Sequence, residues 1–405
     1  MIWIRLYQFL SPLLFTLLKI GAPILPFFKR ARLVRTKNPT PHIPDKTFIQ
    51  FHCASLGEYE MALPLIQHYA QQQPVLISFY SPSGFDHAQI PHDTPFEIVS
   101  CYLPLDLESH YESFYSRLNV SKVVVMKYEI WPNWLQFLTQ KNIPVILANG
   151  YLPNNHWLFK PLAFGAYRIL NRFSLIIVQD EAMKRALQAK ITVPVDYAPD
   201  LRYERVKSVT DEVDKLPKLD EFKGSRPLLV LGSSWEDEER LLSKVLDKLP
   251  EVQVVIAPHD ISPAHIKSIK KHFASFVAQT WDKPLKKNQR ILIVDRIGLL
   301  KSIYSYSDVS IVGGAFGKGL HNILESLAFG APVLFGPNYS DFPEAHEAIK
   351  RHAGYTFINE FELQSRLEWL LTDPSCLEVR KYYSLEMIKA FQGSVDKHIE
   401  LIDSD

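Results

Sequence analysis

Cysteine is nearly absent from this chain. Cys53, Cys101 and Cys376 are three isolated thiols in 405 residues, too few and too scattered for a disulfide scaffold or a zinc site, and in keeping with a reducing compartment. Charge of either sign in excess is lacking too. A net charge of +1 argues against a nucleic-acid binder, for which a strongly basic domain is expected. No G-x-G-x-x-G follows the first strand pattern, and the glycine-rich run GGAFGKG sits late in the chain, so a dinucleotide-dependent dehydrogenase is disfavoured. No small-residue cleavage site follows the apolar amino-terminal run, which disfavours a removed signal peptide.

What is present is length and apolar content. At 405 residues and 47% hydrophobic, the chain exceeds one ordinary core and predicts two α/β domains of comparable size. Residues 1–37 stand apart. MIWIRLYQFLSPLLFTLLKIGAPILPFF is apolar and aromatic, and Lys29, Arg30, Arg32, Arg35 and Lys37 follow it as a basic run. A spanning helix needs about 20 predominantly apolar residues, whereas Arg5, Pro12, Lys19, Pro23 and Pro26 interrupt this stretch. The expectation is a monotopic anchor helix, with the basic residues drawn to anionic lipid at the cytoplasmic face of a membrane.

From Thr47 the pattern becomes buried strands alternating with helices: TFIQFHCAS, PVLISFYS, KVVVMKYE, PVILANG and SLIIVQDE. These predict a Rossmann-like domain over residues 45–204. A looser, charged stretch at 205–225 reads as a linker. The alternation resumes over 226–380 with RPLLVLGSS, VQVVIAPHD, QRILIVDR, VSIVGGA and PVLFGP, a second Rossmann-like domain. Residues 381–405 read as a helix packing back on the first domain. Two such domains facing across a cleft would bind ligands at the carboxyl ends of their strands.

The most informative segment is VGGAFGKGLHNILESLAFGAPVLFGP, beginning at Val312. Gly313, Gly314, Gly317 and Gly319 let main chain approach a ligand, and the helix that follows offers unpaired N–H groups to a phosphate. Asn322 and Glu325 fall three apart. Glu325 then either faces a ligand such as a ribose diol or closes a capping box with Asn322.

Other strand ends carry candidates. Glu58, in HCASLGE, is a candidate base, while Ser55-x-x-Glu58 is also a capping box. Gly57 beside it leaves room for a substrate. Glu129, in KYEIWP, falls at a strand end, where a plain surface carboxylate is the alternative. Gly232, Ser233 and Ser234 offer amides and hydroxyls to a phosphate, or Ser234 caps the next helix. Arg202, near the domain junction, can pair with an anion.

HCASLGE, FYSPSGF, YLPLD, KYEIWPNWL, GSSWEDEE, APHD, GGAFGKGLHNILE and FGAPVLFGP occur in this order across most of the chain. By these motifs it resembles the 3-deoxy-D-manno-octulosonic acid (Kdo) transferases, inverting enzymes of the GT-B fold that move Kdo from CMP-Kdo to lipid IVA, a lipid A precursor. The resemblance implies that Glu58 deprotonates the acceptor hydroxyl, that Glu129 stabilises the transition state and that Arg202 steadies the departing phosphate. CMP would rest against Pro258 and His259, Ile297, Gly298 and Leu299, and Asn322, Ile323, Leu324 and Glu325, with Gly314 in the phosphate loop. The chain departs from the family pattern at His259, where many members have arginine, at Pro199, where a glycine is expected, and at Leu299, where an acidic residue is frequent. No cofactor or metal is implied, and the sole Asp-x-Asp is Asp403-Ser404-Asp405 at the terminus. An inner-membrane enzyme of lipopolysaccharide synthesis is expected. Two rivals stand beside it: another nucleotide-sugar enzyme of this architecture, such as a UDP-sugar transferase or epimerase, and a non-catalytic membrane-bound nucleotide-binding scaffold.

Overall fold

Apolar residues line both faces of the central strands. In β4 (Leu118–Met126), Val123 and Val125 enter one buried cluster while Val124 and Met126 enter another on the opposite face. Such alternation, with both faces covered, is the signature of a parallel sheet between helical layers. The computed structural model describes residues 7–12, 41–152, 156–160, 163, 165–211 and 213–405. It divides into two units, Met1–Leu201 with Gly393–Asp405, and Arg202–Gln392.

The first unit holds β1 (Ile43–Cys53), β2 (Val75–Phe79), β3 (Ile98–Tyr102), β4, β5 (Val145–Gly150), β6 (Leu175–Val178) and β7 (Val195–Tyr197). All pair in parallel, in the order β3-β2-β1-β4-β5-β6-β7. The second holds β8 (Leu228–Ser234), β9 (Gln253–Pro258), β10 (Ala278–Thr280), β11 (Ile291–Ile293), β12 (Val309–Val312), β13 (Val333–Phe335) and β14 (Gly354–Thr356). Their order is β10-β11-β9-β8-β12-β13-β14, again all parallel. In each sheet the first strand lies where the winding reverses, between β2 and β4 and between β9 and β12. Crevices at such reversal points are where open α/β sheets bind ligands.

Two boundaries differ from the sequence reading. The 205–225 stretch holds the helices Leu201–Asp211 and Pro217–Lys223, and Leu219 and Phe222 of the latter are buried beside β8. The carboxy-terminal segment is two helices, Pro374–Ala390 in the second unit and Ser394–Asp403 in the first. Gly393, with φ +79°, breaks them apart. The second helix packs on the first unit, burying Leu401 and Ile402 and accepting the Lys122 ammonium at the Ile402 carbonyl (2.6 Å). The anchor expected over residues 1–37 lies outside the described residues except for Tyr7 to Pro12, which are helical up to Pro12. Among the described residues no helix is long and apolar enough to cross a membrane.

Candidate active site

In the first unit, β1 and β4 are neighbours, so the turns that follow them lie side by side. The turn after β1 enters the helix Leu56–Tyr69 through a capping box. The Ser55 N–H donates to Glu58 Oε2 at 2.8 Å, and the Ser55 hydroxyl reaches the same oxygen at 3.2 Å. Glu58 is therefore a cap in geometry. It is also only 6% exposed, and burial raises its pKa against the opposing pull of the Ser55 bonds and the Lys127 charge. A buried carboxyl with raised proton affinity is suited to take a proton from an alcohol. At Gly57 an added Cβ would meet nothing within 4 Å, so space is open beside it.

The turn after β4 is sharp. Lys127 adopts φ +62°, a conformation rarely held by a residue with a Cβ. Two residues on, Glu129 accepts the Trp131 indole N–H at 2.9 Å, and the Trp131 ring stacks on Tyr80 with centroids 4.8 Å apart. Burial and the negative charge of Glu58 push the Glu129 pKa up to about 7. Glu129 is thus a half-buried carboxyl electrostatically coupled to Glu58, and not a plain surface group.

In the second unit the corresponding reversal lies between β8 and β12. The Gly313 N–H donates to the Gly232 carbonyl (3.0 Å), and both glycines are required by close packing. A Cβ at Gly232 would lie 2.0 Å from the Tyr304 hydroxyl, and one at Gly313 would lie 2.3 Å from the Ser233 carbonyl oxygen. Gly314 has φ +97°. Its amide donates to the Glu238 carboxylate at 2.9 Å. Glu238 accepts the Trp235 N–H with its other oxygen (3.1 Å), is 1% exposed and has its pKa raised by burial.

Further expectations are revised here. Ser234 neither caps the helix Glu236–Val245, which starts from Trp235, nor faces solvent: it is fully buried and its hydroxyl donates to Glu239 at 2.7 Å. Ile323 and Leu324 have fully buried side chains in an apolar cluster, so only their backbone can meet a ligand. Asn322 does not close a capping box. Its carbonyl oxygen accepts the Leu324 N–H (3.1 Å) while its amide donates to Glu325 (2.9 Å), which holds the Glu325 carboxylate in a partly open position at the start of the short helix Leu324–Ala328. Arg202 makes a bidentate pair with Glu344, at 2.7 and 3.0 Å, so a phosphate there would share the guanidinium with a buried carboxylate.

The remaining residues occupy the same carboxyl end of the sheet. Pro258 closes β9, and His259 beyond it is exposed and stacked between Trp235 (4.7 Å) and His321 (4.6 Å). The Trp235 indole N–H donates to His321 Nε2 (3.1 Å), and Lys318 sits over the Trp235 ring at 5.3 Å. Beyond β11, Ile297 is 87% exposed, Gly298 turns the chain at φ +95°, and Leu299 precedes the helix Leu300–Tyr304. Among the described residues no group of three or more His, Cys, Asp or Glu side chains is placed to hold a metal ion.

A family model described as 3-Deoxy-D-manno-octulosonic-acid transferase (kdotransferase) matches residues 27–205. The 3-deoxy-D-manno-octulosonic acid transferase of Haemophilus influenzae is 26% identical over 379 residues, covering 89% of this chain and 87% of the relative. Over most of its length the chain is similar to Kdo transferases. These likenesses indicate a glycosyltransferase, and its two doubly wound units are those of the GT-B class. A bifunctional glycosyltransferase/methyltransferase of Fusobacterium nucleatum is 24% identical over 345 residues, covering 80% of this chain. This chain spans about half of that relative (53%). Among solved structures, UDP-GlcNAc 2-epimerase from Neisseria meningitidis bound to UDP-GlcNAc superposes with a TM-score of 0.61 at 14% identity, over 89% of this chain and 100% of that one, a likeness of fold.

Several residues of this site escaped the sequence reading. Trp131 and Lys127 stood inside the quoted KYEIWP without being given roles. Glu238 was visible as part of an acidic helix start, but its bond to Gly314 joins residues 76 apart, which spacing does not reveal. The Trp235, His259 and His321 stack likewise unites three loops.

Proposed function

We propose that this protein transfers Kdo from CMP-Kdo to lipid IVA, with inversion, as a step of lipopolysaccharide assembly at the cytoplasmic face of the inner membrane. The observation that carries the reading is the buried Glu58 and the half-buried Glu129, coupled carboxyls at the β1/β4 reversal, with open space at Gly57.

Glu58 takes the proton of the acceptor hydroxyl as its oxygen attacks C2 of Kdo. The bond from C2 to the CMP phosphate breaks, and its electron pair leaves with the phosphate. A general base contributes about 10² to 10⁴ in rate. Positive charge developing on the sugar is offset by Glu129, while Arg202 and the backbone near Asn322 meet the charge growing on CMP. Glu325 receives the ribose, and His259 stands where many relatives place a fixed positive charge. The scheme requires no metal and no cofactor, and the amino-terminal 37 residues hold the enzyme against anionic lipid.

Mass spectrometry of lipid IVA after incubation with purified enzyme and CMP-Kdo tests the reading: the lipid should gain Kdo. An unmodified lipid, together with thermal protection by UDP but not by CMP, would favour a UDP-sugar enzyme of the same fold.

A further inference from the structure

Asp106 is a buried carboxylate, 1% exposed, that plays no part in the chemistry above. Its two oxygens accept four donors. Oδ2 takes the Tyr7 hydroxyl (2.8 Å) and the Asn133 N–H (3.2 Å), and Oδ1 takes the Tyr111 hydroxyl (2.9 Å) and the Trp134 N–H (2.9 Å). About four lone-pair sites are available on an ionised carboxylate, so this one is saturated. Two of the donors are first-turn amides of the helix Pro132–Gln140, which otherwise lack partners. Asp106 therefore fixes where that helix begins.

Trp131 is the residue before the helix, and its indole N–H holds Glu129. The amino-terminal segment also meets the same helix through the Gln8 amide to Gln136 (2.8 Å) and the Asn133 amide to Ser11 (3.2 Å). An unbroken series of bonds thus runs from Tyr7 through Asp106, the helix start and Trp131 to Glu129, all within one unit.

We propose that Asp106 and Tyr7 are positioning residues for Glu129, so that seating of the amino-terminal segment sets the geometry of the reacting site. This rests on the role given to Glu129 above. Removing the Tyr7 hydroxyl leaves a vacant acceptor on a carboxylate that water does not reach. The helix start relaxes, and Trp131 loosens its hold on Glu129. Because the indole bond lowers the Glu129 pKa while burial and Glu58 raise it, loosening moves that pKa upward. Tyr128 lies beside both carboxyls, and Lys127 faces Glu58. None of these is altered by the change at Tyr7.

The test uses the full-length enzyme with Tyr7→Phe, Trp131→Phe and the double variant. Both single variants should lower kcat about tenfold, within the range shown by coupled residues of one network, with KM for CMP-Kdo unchanged. Both should shift the Glu129 limb of the pH profile above about 7, and the double variant should add nothing further. Tyr7→Phe should also change the emission of Trp131, taken as the difference between spectra with and without Trp131→Phe. An unmoved pH limb with unmoved Trp131 emission, or strictly additive losses, would overturn the proposal. If Glu129→Gln keeps full activity while Tyr7→Phe still alters Trp131 emission, the role of Glu129 fails and the linkage through Asp106 stands.

Discussion

Glu129→Gln should make the protein more stable while removing its activity. In the folded chain the Glu129 pKa stands at about 7, raised by burial and by Glu58. An unperturbed glutamate titrates near 4.3, and each tenfold change in proton affinity corresponds to about 1.4 kcal/mol. Proton linkage sets the sign. A carboxyl whose folded pKa is raised carries no penalty at low pH, where it is protonated in both states. The penalty grows as pH rises from the unfolded value and is complete above about 7, reaching roughly 4 kcal/mol. Glutamine keeps an acceptor for the Trp131 N–H and lacks the charge, so it escapes that penalty. For a unit of about 200 residues, 1 kcal/mol moves Tm by about 2–4 °C, which predicts a gain of about 8–16 °C at pH 8. Thermal unfolding at pH 4 and pH 8, alongside Kdo transfer, checks this. Equal Tm values for the two proteins at pH 8, or a loss of stability at both pH values, would refute the assignment of a strained, ionisable Glu129.

Glu58→Gln should lower kcat for Kdo transfer by about 10² to 10⁴ while leaving protection by CMP in a thermal-shift assay intact; retained turnover would leave Glu58 as a cap and nothing more. Gly232→Ala should cost roughly 1–3 kcal/mol by overpacking and be partly relieved by Tyr304→Phe, because the hydroxyl at 2.0 Å is the first atom met. Gly313→Ala meets the Ser233 backbone instead, so no side-chain deletion should relieve it in denaturant titrations. Arg202→Met strands the buried Glu344, which is 3% exposed, and should cost about 3–5 kcal/mol of unfolding free energy, with Arg202→Lys losing less because one bond of the pair survives.

Much of the architecture was legible because buried parallel strands announce themselves as apolar runs, and the candidate site was legible because glycines and carboxylates directly follow those runs. HCASLGE and KYEIWP each mark a strand end, yet only the β1/β4 pairing shows that the two turns lie side by side. Edge strands such as β10 and β14, three residues each, carry too little pattern to read. Burial of Ile323 and Leu324 and the capture of the Gly314 amide by Glu238 depend on tertiary packing, which a local motif does not encode. The 205–225 stretch looked like a linker because its charges hide the two side chains, Leu219 and Phe222, that it contributes to the core.

The helices that follow the first strand of each unit present a natural internal control, each with a third-position glutamate that accepts the N-cap backbone N–H. Glu58 and Glu238 occupy matching places after β1 and β8, both are buried, and both have raised proton affinity. One of them is tied across to a glycine amide 76 residues away; the other stands beside open space. An infrared titration of the carboxyl stretch should therefore show three late-titrating glutamates, Glu58, Glu129 and Glu238, of which Glu238 should not respond when an acceptor alcohol is added. Nature has in effect supplied the reference cell together with the sample.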